Sequence, residues 1–368
     1  MFKFKDNQLA ARIIAKLKKM NLSIRLMHAC GTHQDTLIKS GLNSIFKELG
    51  VEIRQGPGCP ICVTPSDEIE EAIVLAEHGV KLAVFGDAMR VTGFSKSLYD
   101  VRAEGADVNI VYSISDAVKL AETHPDKNIV FLAIGFETTA PATASTLLHG
   151  VPENFYVLSS HRYFPPALDV LLSLGEIRLD GLIQPGHVSV ITGLSPYYEL
   201  LKKYNIPQVI AGFEPLDLLL AVYSLSQQIT AKSPRVENEY TRAVSEEGNV
   251  LAQKYLRQVF EPRDVVWRGF PLIRASGMCL KKDFSSHDAR IVFEDIITEA
   301  SVKHYEEPKG CRCNEILRGL VDSFDCPLFG NKCTPDHPVG PCMVSIEGNC
   351  NINYRYTGGK RAKNFNRF

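Results

Sequence analysis

Ten cysteines are spread unevenly over 368 residues. Cys30, Cys59, Cys62 and Cys279 are the only ones before residue 311, whereas Cys311, Cys313, Cys326, Cys333, Cys342 and Cys350 crowd into 311–350. A secreted disulfide scaffold spreads its cysteines through a short chain, so this pattern points to metal or redox chemistry in a reducing compartment. In HACGTH (28–33) Cys30 closes a strand-like run and Gly31 opens a loop. His33 follows three residues on, close enough to assist Cys30 as acid, base or hydrogen-bond donor. In GPGCPICVTP (56–65) Cys59 and Cys62 form a C-x-x-C ahead of a helix start. A helix N-terminus favours an anion, and such a pair can hold a metal or cycle between dithiol and disulfide. If two sheet ends face one another, Cys30, Cys59 and Cys62 converge as soft ligands for a thiophilic metal such as Fe or Zn. In the tail the only close pair is C-x-C at 311–313, and the other spacings are wide. That suits an iron–sulfur cluster plus a redox pair better than the paired knuckles of a zinc ribbon, with zinc and free or disulfide-bonded thiols as the alternatives. Glu137, Thr138 and Thr139 in GFETT, His187 in QPGHVS and Glu214 in GFEP each follow a strand-like run, where α/β sites are built. Helix capping is the competing explanation for Glu137 and Glu214.

These residues need elements to position them. Leu9, Ile13, Leu17 and Met20 recur at helical spacing and predict an opening amphipathic helix. Apolar runs at 22–30, 51–56, 80–87 and 108–113 predict strands, and so do those at 128–136, 154–161 and 206–213 and a short one in DGLIQPGH (180–187). Helical patterns separate them, one with Thr64 as N-cap and a capping box to Asp67. Near-continuous apolar strands alternating with helices mean parallel sheets covered on both faces. The expected architecture is α/β: two Rossmann-like domains of similar build facing a cleft, plus a small Cys-rich C-terminal domain. The expected boundaries are 1–125, 126–236 and 237–368, the last opening with a charged helix over 238–260 and a β-like stretch. The stretch from Asn351 to the end carries Arg355, Lys360, Arg361, Lys363 and Arg367 without an acid, a solvated tail or a docking patch.

Composition narrows the function. Lys+Arg 41 against Asp+Glu 42 gives a net charge of -1, which lends no support to nucleic-acid binding. No apolar run is long enough for a membrane helix, and the basic start lacks a signal-peptide core, so a cytoplasmic protein is expected. Neither a dinucleotide glycine fingerprint after a strand nor a P-loop occurs, and no H-E-x-x-H is present.

HACGTH, GPGCPICVTP, AIGFETTAP, PGHVSVITG, AGFEPLD, CRCNEILRG, CPLFGNKCTP and GPCMVSIEGNC occur in this order. Together they resemble the HypD family of [NiFe]-hydrogenase maturation factors, from about residue 26 to 356. The resemblance implies a scaffold on which iron receives cyanide and carbon monoxide. Its partners would be the small chaperone HypC and the cyanide donor HypE, and the hydrogenase large subunit indirectly. It also implies a [4Fe-4S] cluster in the tail. Cys30 then matches the iron-binding cysteine, and Cys59 and Cys62 supply thiols for redox or iron binding. Thr32, His33, Glu137, Thr138, Thr139, His187 and Glu214 match cleft motifs. Cys326, Cys333 and Cys350 ligate the cluster with Cys311 or Cys313. Cys311 is favoured, leaving Cys313 and Cys342 as a neighbouring dithiol like that of ferredoxin:thioredoxin reductase. The other readings are a general iron–sulfur thiol–disulfide oxidoreductase and a zinc-stapled docking protein. A third thiol on a separate loop, Cys30, favours the scaffold over the first, and metal content separates it from the second.

Overall fold

The computed structural model describes residues 6–301 and 307–359. Nine strands alternate with helices: β1 (Ile24–His28), β2 (Val51–Gln55), β3 (Lys81–Phe85), β4 (Val108–Val111), β5 (Ile129–Gly135), β6 (Phe155–His161), β7 (Gly181–Pro185), β8 (Gln208–Ala211) and β9 (Val236–Asn238). Every residue of β5 and β7 is buried, as in a parallel sheet covered on both faces. The opening helix, Asn7–Lys19, is capped by Asp6 and buries Ile13 and Leu17.

The strands form two parallel sheets whose chain segments interleave. One sheet has the order β2-β1-β7-β8-β9 and the other β4-β3-β5-β6. The expected boundary at 125 therefore falls inside the second sheet, between β4 and β5. The first sheet is closed by strands more than a hundred residues apart, with Leu26 in register with Gly181. Apolar composition marks each strand but carries no record of its partner, which is why the chain reads as two consecutive series.

One apolar cluster fills the space between the sheets and extends into the tail, holding Met27, Leu132 and Leu182 together with Cys59, Cys62, Cys313 and Cys350. The C-terminal segment thus shares a core with the sheets instead of building its own. After β9 the expected long helix is only Val250–Val259, followed by a hairpin of β10 (Phe260–Val266) and β11 (Leu272–Leu280). Helix Asn349–Thr357 lies against helix Gly31–Lys39, where Arg355 pairs with Asp35. Lys360, Arg361, Lys363 and Arg367 lie outside the described residues. Among the described residues, no helix is long and apolar enough to cross a membrane.

Candidate functional site

In the first sheet β1 sits between β2 and β7, so the chain leaves β1 toward one side and returns on the other. Crevices at such switch points are where open α/β sheets hold ligands. Cys30 follows β1 and His187 follows β7, so the two border this crevice. The expected loop after Cys30 is the first turn of helix Gly31–Lys39, with extended backbone at Cys30 itself. The Cys30 side chain is buried, and its Sγ lies 3.7 Å from His187 Nδ1. Burial pushes the thiol up to about 12, against the pull of the first-turn amides of His33 and Thr32, while the charge of Glu347 raises it further. Burial also lowers His187 to about 4. The resting pair is therefore neutral, a thiol in contact with an imidazole.

His33 does not face Cys30. Its Nε2 donates to the Gly212 carbonyl at 2.9 Å, at the end of β8. Phe213 lies against both imidazoles, with ring centroids 5.1 Å from His33 and 5.3 Å from His187. Burial lowers His33 to about 3, with the neighbouring His28 and His187 contributing. His33 is thus a neutral strut between the Cys30 helix and β8.

Cys59 and Cys62 leave β2, the neighbour of β1 in the same sheet, and form a disulfide. In that form neither offers a thiolate to a metal, so the expected three-thiol ligand set is not assembled. The disulfide spans the short helix Pro60–Val63. Gly58 brings it beside Cys30, because a Cβ there would lie 2.3 Å from the Cys30 nitrogen. Thr64 does not cap the next helix, Ser66–Glu77; its hydroxyl donates to the Pro60 carbonyl, and Pro65 takes the cap position. Cys62 Sγ lies 3.9 Å from the Pro341 carbonyl, one residue before Cys342.

All six tail cysteines line one small cavity. Cys313 and Cys342 are paired at 2.8 Å between sulfurs, and Cys311 hydrogen-bonds Cys313. Burial is the main force pushing the Cys333 and Cys350 thiols up, and neighbouring thiols add to it. Gly340 keeps the cavity open, since a Cβ there would lie 2.9 Å from Cys311 Sγ. Among the described residues, no three His, Cys, Asp or Glu are gathered to hold a metal ion.

A family model described as HypD, hydrogenase formation hypA family, matches residues 6–357. The chain belongs to the HypD family. A putative hydrogenase expression/formation protein of Methanocaldococcus jannaschii is 47% identical over 362 residues, 97% of this chain and 99% of the relative. Hydrogenase maturation factor HypD of Escherichia coli is 42% identical over 338 residues, 90% of this chain and 89% of that protein. HypD of Cupriavidus necator is 38% identical over 368 residues, 96% of each. The role of the family lies in hydrogenase maturation.

The remaining candidates separate within this HypD chain. Glu137 follows β5 in the second sheet, and its carboxylate accepts from the Phe164 amide at 3.0 Å, capping helix Phe164–Leu174. Burial raises it to about 7. Gly135 is required beneath it, since a Cβ there would meet Thr139 at 2.5 Å. Thr138 and Thr32 are exposed. Glu214 is the N-cap of helix Pro215–Thr230, in a capping box with Asp217. An open groove of about 760 Å³ beside Trp267 and Arg290 carries none of the candidates. His28, Gln34, Phe213 and Asn349 were not singled out in the sequence. The signal available for Asn349 was the spacing of three asparagines in NCNIN (349–353) within an otherwise apolar setting, and all three are buried.

Proposed function

We propose that this protein is the scaffold on which the iron of a [NiFe]-hydrogenase centre receives its cyanide and carbon monoxide ligands. The observation that carries this reading is Cys30, a buried thiol at a switch-point crevice with a disulfide alongside and a cavity of six thiols behind. Ferrous iron enters as cargo. Cys30 gives its proton to solvent through His187 as the metal arrives, because a thiol must ionise to ligate. A thiolate anchor leaves the other coordination positions open, and soft anionic ligation suits iron that will carry cyanide. His33 and Phe213 hold the crevice wall in place.

Cyanide delivered as a thiocyanate on a HypE-type partner must be released with two electrons. In the reduced form Cys59 and Cys62 can supply them: RSCN + 2 Cys–SH → RSH + CN⁻ + H⁺ + Cys–S–S–Cys. The disulfide form is what that step leaves. A HypC-type chaperone is the expected second holder of the iron. The donor set of the tail fits a [4Fe-4S] cluster, because Gly340 leaves room among the sulfurs and the thiols border a shared volume, not one ion-sized point. Cys326, Cys333, Cys350 and Cys311 would hold it, with Cys313 and Cys342 as the adjoining dithiol. Bound there, it would supply one-electron redox chemistry. The contact of Cys62 with the segment bearing Cys342 gives a route for restoring the Cys59–Cys62 dithiol.

The test is infrared spectroscopy of anaerobically purified protein with its small chaperone. Cyanide and carbon monoxide stretches are expected in the parent and absent in Cys30→Ala. Full maturation by Cys30→Ala would favour a general thiol–disulfide oxidoreductase, a reading supported by the Cys59–Cys62 disulfide.

A further inference from the structure

A run of buried polar side chains joins the two thiol sites. His28 Nε2 donates to Gln34 Oε1 at 2.9 Å, and Gln34 Nε2 donates to Asn349 Oδ1 at 3.0 Å. Asn353 Nδ2 donates to the same Asn349 oxygen at 2.9 Å and to Ser323 Oγ at 3.1 Å. The Ser323 hydroxyl in turn hydrogen-bonds the Cys350 sulfur. All six residues are buried. At one end Gln34 belongs to the first turn after Cys30, where its backbone N–H donates to the Cys30 carbonyl at 3.2 Å. At the other end stands a thiol of the cysteine cavity.

Burying amides costs more than burying hydrocarbon of the same shape unless every bond is made. Here the amide bonds of the run are made, and only His28 Nδ1 at its outer end is left without a partner; a network so bonded fixes one arrangement of the elements it joins. The bond directions exclude a proton wire, since Asn349 Oδ1 accepts from both sides and an amide has no proton to relay. What the run transmits is position. Its two amide-bearing elements are helix Gly31–Lys39, which begins at Cys30, and helix Asn349–Thr357, which carries Cys350.

We propose that Gln34, Asn349 and Asn353 are positioning residues that couple the Cys30 turn to the cysteine cavity. Ordering the Cys350 helix presets Cys30 through this amide bridge, and ordering the Cys30 turn stabilises the Cys350 helix. Such coupling is reciprocal by necessity. It rests on the reading of the two thiol sites as one machine, but its test needs no metal, so each can fail alone. A purified protein without iron or sulfide in its tail would count against the cluster and leave the coupling untouched.

The experiment uses the full chain, reduced, anaerobic and stripped by a chelator. Two rates are read: iodoacetamide alkylation of Cys30, mapped by peptide mass spectrometry, and amide hydrogen exchange across 349–357. Asn353→Leu bonds nothing in the Cys30 turn, yet it should speed Cys30 alkylation roughly tenfold, the factor expected from losing about one or two hydrogen bonds. Gln34→Leu should speed exchange across 349–357 by a similar factor. Asn353→Asp and Gln34→Glu keep shape while removing the bridging donors, and they carry the test where a leucine variant does not fold. Gln34→Glu also keeps an acceptor for His28, so the His28 bond survives in that variant. A distant rate within about twofold of the parent in these folded variants would overturn the coupling.

Discussion

Burial sets the resting charge of this site residue by residue. Cys30 stays protonated at neutral pH because its thiolate would have to leave water, and the histidines around it stay neutral for the same reason. Cys30, His33 and His187 therefore carry no charge of their own at rest, and the Glu347 carboxyl nearby disfavours the thiolate further, which guards against indiscriminate thiol reactivity. Glu137 gives the clearest pH dependence. Its folded value of about 7 lies above the ordinary 4.5, so the folded chain binds the extra proton between those values. The contribution to stability is full below about 4.5 and lost as pH rises through about 7. Glu137→Gln keeps an acceptor for the Phe164 amide and cannot ionise. It should unfold at higher urea than the parent at pH 8, by on the order of 2–3 kcal/mol, and match it at pH 5. A variant weaker than the parent at both pH values would show that the ionised carboxylate is the form this site requires. The tail thiols are tested by colour and iron content. Cys326→Ala, Cys333→Ala and Cys350→Ala should each lose most iron and sulfide from anaerobic protein, and so should Cys311→Ser, whereas Cys313→Ser should keep them. One zinc and no sulfide would replace the cluster with a structural metal.

Among the elements, two glycine contacts decide how close the thiol loops come. At Gly58 a Cβ would lie 2.1 Å from the Ala29 carbonyl carbon, and at Gly31 one would lie 2.5 Å from Glu347 Cβ. The first overlap is with backbone and cannot be relieved by turning a side chain. Gly58→Ala should therefore cost about 1–3 kcal/mol in chemical denaturation and push the Cys59–Cys62 loop off Cys30. Gly41→Ala, at a surface position with open space but positive φ, is the control for backbone strain alone. The glycines and prolines of GPGCP gave away a shaped loop in the sequence, as the apolar runs gave away each sheet strand except the short β9, which is only half-buried. Partners were not legible in the same way. His33 is three residues from Cys30 and looks like its natural base, yet a helix turn aims it at β8, and the contact falls to His187, 157 positions away. Thr64 fits the cap pattern but is diverted by the short helix before it. Such choices depend on which strand lies next door, information that no local pattern carries.

For the whole molecule, the interleaved sheets make residues 1–125 an incomplete unit. That fragment holds β1 and β2 without β7, and β3 and β4 without β5. Expressed alone, 1–125 should show no cooperative thermal transition, while the full chain should show one dominant transition because the largest of its apolar clusters joins both sheets and the tail. A well-folded 1–125 would mean that either sheet half is stable alone. Two α/β halves and a cysteine tail were readable from alternation and composition, but their true division follows from pairing between distant segments.

The same interleaving sets an order of events during synthesis. β3 to β6 are contiguous in the chain and can pair as soon as β6 has left the ribosome, whereas β1 has β2 at once but must wait for β7 before it is flanked on both sides. Non-local pairing of this kind is slow and leaves edges exposed while it waits. Cys30 emerges among the first residues, but His187 and the Gly212 carbonyl, its surroundings in the finished crevice, arrive more than 150 positions later. The nascent chain thus carries a solvated thiol long before it carries a pocket. Translation itself keeps the Cys30 pocket from being built until the rest of the protein is there to close it.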